Sequence, residues 1–202
     1  MLTSFLKSIS FILHPLLMPW FGAVYFFSIT PVQYHPIKIS FWLLYIILWS
    51  VIVPLFLYFI LKKINIVHTI NLNTSKERIW PLLLNGFILG YLSFGLLPKS
   101  ICAELHYLFL GAMITVILGM ILAILKFKTS IHMMSSAGAF FFMILVNLRY
   151  DYSFINTTVL FVIVMGAMAS SRLHLNAHTP KELVAGFFIG VTPQILLFNQ
   201  WL

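Results

Sequence analysis

The chain has 202 residues, 61% of them hydrophobic and 8% charged, with a mean hydropathy of +1.04; soluble domains carry roughly a quarter of charged residues, so this composition is that of an integral membrane protein. At about 20 apolar residues per crossing, such a chain fills with about seven spans and short connections, leaving no room for an extramembrane domain. The single cysteine, Cys102, excludes a disulfide framework and a multi-cysteine metal site, and a net charge of +8 points to anionic headgroups or phosphates rather than to nucleic acid.

Apolar stretches bounded by charge predict helices over about 9–29, 41–61, 80–97, 105–125, 131–148, 155–171 and 181–199. The expected fold is a single all-α polytopic transmembrane bundle of six to seven spans. His14-Pro15 and Pro19 interrupt the first, which is therefore expected to kink or to lie partly in the interface. Its apolar run is long and no small-residue cleavage site follows, which argues against a cleaved signal peptide. The span over 155–171 carries Gly166, Ala167, Ala169, Ser170 and Ser171, small residues that predict close helix contact and burial in the bundle. No internal repeat or low-complexity tract is present.

Seven crossings place the N-terminus and the connections near 62–79, 126–130 and 172–180 on one side, with nine cations: Lys7, Lys62, Lys63, Lys76, Arg78, Lys126, Lys128, Arg172 and Lys181. The other side has Lys38, Lys99 and Arg149. The positive-inside rule puts the cation-rich side in the cytoplasm, although cations recruited to hold a phosphate would produce the same bias.

Polar chemistry gathers on that side. In the run Ser170 to Glu182, the residues Arg172, His178 and Glu182 stand at the mouth of a helix. An imidazole held by a carboxylate presents its other ring nitrogen as nucleophile or base, and a guanidinium takes two oxygens of a phosphate. Thr179, Pro180 and Glu182 equally form a capping box, which alone would account for Glu182. Thr129, Ser130 and His132 open the fifth span; Lys76, Glu77 and Arg78 open the third, with Thr74 and Glu77 spaced as another capping box. Three helix N-termini therefore converge on one face, each with a cation or histidine and a partial positive charge. Interfacial anchoring would equally explain Lys76 and Arg78, and a satisfied bundle histidine would explain His132.

These segments resemble the type 2 phosphatidic acid phosphatases, the lipid phosphate phosphatase superfamily related to vanadium haloperoxidases. Ser171-Arg172, five residues, His178, three residues, Glu182 has the spacing of that family's third motif, with Glu in place of Asp. Ser130 and His132 keep two residues of its second motif, Pro-Ser-Gly-His, while Thr129 and Ile131 replace Pro and Gly. The first motif, Lys, six residues, Arg-Pro, matches only at Arg78: position 71 is Asn, and Pro81 comes later. The resemblance covers about residues 76–182, with a family-like core over about 76–199. It implies a metal-independent lipid phosphatase or pyrophosphatase with no cofactor. His178 is the implied nucleophile, forming a phosphohistidine, and Glu182 holds its other ring nitrogen. His132 is the implied acid and base, while Arg172, Arg78, Ser130 and Lys76 bind the phosphate. The longer Glu182 side chain is expected to serve either the imidazole or the cap, and both only through a water. Implied partners are a phospholipid or isoprenyl (pyro)phosphate and the surrounding lipids, in a bacterial cytoplasmic membrane. The family favours an extracytoplasmic site, against the cation count.

A transporter or channel, a haem protein using His14, His106, His132 or His174, and an inactive scaffold of the same fold are the competing readings. Polar residues at helix mouths rather than at mid-depth, and the lack of an inverted repeat, count against transport. Oligomeric state is not written in the sequence.

Overall fold

In the computed structural model, which describes residues 2–69, 72 and 74–201, the described residues form nine α-helices and no strand. They are α1 Leu2–Ile12, α2 Met18–Ile29, α3 Pro36–Ile47, α4 Val53–Lys63, α5 Ser75–Gly90, α6 Ala103–Ile124, α7 Ile131–Arg149, α8 Ile155–His174 and α9 Pro180–Phe198. A tight 3-10 turn, Pro15–Leu17, joins α1 to α2, and wide π turns over Leu48–Ile52 and Tyr91–Leu96 join α3 to α4 and extend α5. The result is seven segments long and apolar enough to cross a membrane, from Leu6–Ile29 to Pro180–Phe198. Large apolar side chains such as Ile37, Phe87 and Leu196 face outward, as a lipid solvent requires. The protein is an all-α transmembrane bundle.

The second and third spans start at Pro36 and Ser75, earlier than the apolar runs indicate, because polar residues begin both helices. His35 Nδ1 accepts the Ile37 N–H at 3.3 Å, with Pro36 in the first turn, where its missing N–H costs nothing. Thr74 Oγ1 accepts the Glu77 N–H at 3.4 Å. The Glu77 carboxylate accepts the Thr69 hydroxyl at 3.0 Å, which ties down the preceding connection.

The first span is broken where its prolines stand. After α1 the backbone is extended at His14, and the chain resumes as a helix only at Met18. α1 lies against the end of α8: Ser171 Oγ donates to the Leu6 carbonyl at 2.7 Å, so the Ser10 hydroxyl, also at 2.7 Å, must donate to Ser171. α2 instead runs beside α7, where the Tyr25 hydroxyl donates to Asn147 Oδ1 at 2.9 Å. The turn at residues 13–17 therefore sits at the same end of the bundle as the start of α7.

α7 is the central helix, the most completely buried of the seven. Its close neighbour is α9, and glycines make that approach possible. A Cβ at Gly190 would overlap the Met134 carbonyl, one at Gly186 would stand 3.0 Å from the Ser130 carbonyl, and one at Gly138 would stand 3.1 Å from the Gly190 carbonyl. Of the small residues expected to bury α8, only Ser171 is buried, against α1; Gly166 and Ser170 are exposed and Ala167 and Ala169 half-buried. Thr157, Phe161, Met165, Met168 and Ser171 form the buried stripe of α8. Gly166 lies off that stripe with open space around it.

Candidate functional site

At one end of the bundle the three predicted segments are fastened together. The Ser130 N–H donates to the Glu182 carbonyl at 3.3 Å, joining the starts of α7 and α9. Arg78, buried at the start of α5, donates from Nε to the Leu72 carbonyl at 3.0 Å and from Nη1 to the Thr129 carbonyl. Lys128 donates to the Ala177 carbonyl at 3.1 Å, crossing from the α6–α7 connection to the α8–α9 connection.

Between these elements and α4 is a cavity of about 970 Å³. Arg78, Lys128, His132, Arg172 and His178 line it at the fastened end, whereas Leu55, Leu57 and Phe59 of α4 and Leu84 and Ile88 of α5 line it further along. From Arg78 to Ile88 the α5 side of the cavity runs ten residues, about 15 Å of helix rise. A cationic end thus continues into an apolar slot.

His178 occupies the extended turn before α9. Its Nδ1 stands 2.8 Å from Glu182 Oε2, and the same oxygen accepts the Thr179 N–H at 3.0 Å while Thr179 Oγ1 accepts the Glu182 N–H at 3.4 Å. The capping box and the histidine contact therefore coexist on one carboxylate oxygen. This corrects the expectation that Glu182 needs a water to serve both: the cap draws the carboxylate back over Thr179, and His178, one residue earlier, follows the chain into the same place. With Nδ1–H donating to the carboxylate, the neutral ring keeps its lone pair on Nε2, the edge left for the cavity. Burial pushes the His178 imidazole down to about 4; Glu182 opposes that shift, and the charges of Arg78, Arg172 and Lys128 add to it. The ring is unprotonated at neutral pH.

Two polar groups at the cavity have no protein partner among the described residues. Arg172 Nε is buried without a hydrogen-bond partner, and the Tyr58 hydroxyl on the α4 side of the cavity is in the same position. Unpaired buried donors cost free energy unless something supplies an acceptor. Burial, with the charges of Arg78 and Arg172, lowers the Lys128 ammonium from its usual value, and Glu182 opposes this. His132 lines the cavity from the first turn of α7, near the Arg172 charge, and bonds through its ring to the Ser10 backbone.

Two predicted residues are not brought to the cavity. Lys76 is exposed, because two residues along a helix turn about 200° and Arg78 takes the inward position. Ser130 is fully buried; its hydroxyl accepts the Met133 N–H at 3.4 Å and caps α7. At each of the three helix starts one N–H is taken by a cap, from Thr74, Ser130 and Thr179. Asn71, where the resembled motif has Lys, lies outside the described residues. Lys128, Lys7, Lys62, Tyr58 and His14 also line the cavity; the sequence gives none of them a phosphate-site role, and His14 only that of a candidate haem ligand. For Lys128 the available signal was its place two residues before Ser130. Among the described residues no three His, Cys, Asp or Glu side chains gather as a metal site.

No protein-family model, no curated protein and no solved structure matches the chain. The arrangement itself defines what it can do: a carboxylate-backed imidazole at His178, two further imidazoles at His14 and His132, and the cations Lys7, Lys62, Arg78, Lys128 and Arg172 share a cavity that continues into apolar surface.

Proposed function

We propose that the protein is a membrane lipid phosphatase, acting on the terminal phosphate or pyrophosphate of a lipid in a bacterial cytoplasmic membrane without a metal ion. The observation that carries the reading is that one cavity gathers Arg78, His132, Arg172 and His178 from three separate parts of the chain, with His178 backed by Glu182. The resemblance to the type 2 phosphatidic acid phosphatases assigns chemistry to the same residues. The apolar slot supports a substrate with hydrocarbon tails.

In this mechanism the phosphate oxygens lie among Arg78, Arg172 and Lys128, whose charges match those that develop on the equatorial oxygens in the transition state. His178 Nε2 forms a bond to phosphorus as the bond to the leaving oxygen breaks, and the resulting imidazolium is stabilised through Nδ1–H by Glu182. His132 gives a proton to the leaving oxygen, then takes one from water as that water attacks the phosphohistidine and expels His178. Lys128 takes the part first assigned to Lys76, and Ser130 acts only by capping α7.

Detergent-purified protein, tested with chelator present on phosphatidic acid, phosphatidylglycerophosphate, an isoprenyl pyrophosphate and a lipid A phosphate, is expected to release phosphate from at least one. Vanadate is expected to inhibit it, and His178→Ala to abolish release. Activity that vanishes in chelator and returns with Mg²⁺ would refute the metal-independent mechanism.

A further inference from the structure

The resembled core begins near residue 76, yet the cavity is closed in part by the N-terminal segment. His14 lines it together with Arg78, His132, Arg172 and His178. Its place is fixed from several directions. The backbone is extended at His14, Pro15 follows, and His14 Nδ1 accepts the Leu16 N–H at 3.3 Å. The ring packs edge-on to His132, with centroids 5.6 Å apart and planes at 81°. Since Nδ1 is already an acceptor, the neutral ring carries its proton on Nε2. The result is a positioned donor beside the second histidine of the site.

We propose that His14 is a further catalytic residue, donating its Nε2–H to an oxygen of the phosphate group held by Arg78 and Arg172. This rests on the reading of the cavity as a phosphate site and extends it to a segment outside the resembled motifs. The broken first span then has a use: a continuous helix through residues 13–17 would withdraw the extended backbone from which His14 reaches back to the Leu16 N–H. It also explains why α1 is tied to α8 through Ser10 and Ser171, since those contacts hold the approach to the turn against the end of the helix that carries Arg172.

Capping and donation are separable by substitution. In His14→Asn the amide oxygen occupies the place of Nδ1 and suits a cap, while the Nε2 donor is lost. In His14→Gln an amide N–H reaches the Nε2 position and the cap is lost. Two readouts are needed: affinity for inorganic phosphate or orthovanadate on the purified protein, and turnover on the lipid panel. His14→Asn is expected to keep the thermal midpoint while both readouts fall about 10- to 100-fold, the range for a hydrogen bond to a charged group. His14→Gln is expected to lower the midpoint yet retain more of both than Asn. Wild-type values in His14→Asn, with phosphate binding intact in the wild type, overturn this proposal alone. So does the reverse order, Gln worse than Asn, which would make His14 a cap only. A wild type that binds neither anion overturns the phosphate reading and this proposal with it.

Discussion

Glu182 Oε2 lies 2.8 Å from His178 Nδ1 and 3.0 Å from the Thr179 N–H, so a single oxygen atom sets both the start of α9 and the tautomer of the candidate nucleophile. Gln at position 182 still fits a capping box, but it replaces a charged acceptor with a neutral amide. Glu182→Gln is therefore expected to keep the fold, with a stability loss of at most about 1 kcal/mol from the helix dipole. Its turnover should fall by roughly a hundredfold or more, as when an orienting carboxylate is removed from a catalytic histidine. Glu182→Asp should retain more activity than Gln. Wild-type turnover in Gln would take the carboxylate out of the mechanism and leave only the cap.

His178 sits among cations in a buried turn, and its ring is held down to about 4. A histidine at its ordinary value of about 6.5 would be half protonated in a mildly acidic medium. Here the neutral ring should persist as pH falls through 6, protonating only near 4. Histidine-labelled protein, with the His178 signal assigned by its loss in His178→Ala, permits an NMR titration without substrate. A midpoint at or above 6.5 would show that burial and the neighbouring cations do not govern the ring.

Lys128 and Lys76 give a paired test of which lysine serves the phosphate. Lys128→Met removes a cation from the cavity and should lower kcat/KM about 10- to 100-fold. Lys76→Met changes an exposed residue off the cavity and should leave kcat/KM within about twofold of wild type, since exposed charges contribute little. The opposite ranking would return the phosphate-binding role to Lys76.

The seven spans were legible because the bilayer demands about 20 apolar residues per crossing whatever the fold. The break at His14-Pro15 was also legible, since proline cannot donate within a helix. The third-motif spacing located Arg172, His178 and Glu182. Lys76 was placed at the site through its nearness in sequence to Arg78, although helical periodicity already turns the two apart. Lys128 was not legible as a site residue and His14 only as a candidate haem ligand: His14 arrives through a tertiary turn of the first span, Lys128 through a loop crossing to Ala177. The α7–α9 contact was missed for a related reason. Small residues occur on both α8 and α9, and only the packing decides which are used.

That contact is open to test at its narrowest point. A methyl at Gly190 meets the Met134 backbone, which cannot swing aside as a side chain can, whereas a methyl at Gly166 meets nothing within 4 Å. Gly190→Ala is expected to destabilise the bundle by about 1–3 kcal/mol or more through overpacking, and to lower activity by shifting α9 against α7. Gly166→Ala should be neutral or slightly stabilising. Thermal unfolding in detergent measures both, and equal midpoints would remove Gly190 from the account of how the site is held.

The central claim is that His178 Nε2 takes the phosphoryl group from a lipid. Rapid mixing with a lipid substrate carrying a labelled terminal phosphate, quenching in alkali and peptide mapping would identify the bond directly. Label is expected on the peptide containing His178, stable in alkali and lost in acid, and absent from His178→Ala. Steady phosphate release by His178→Ala at the wild-type rate, with no labelled histidine in the wild type, would contradict it.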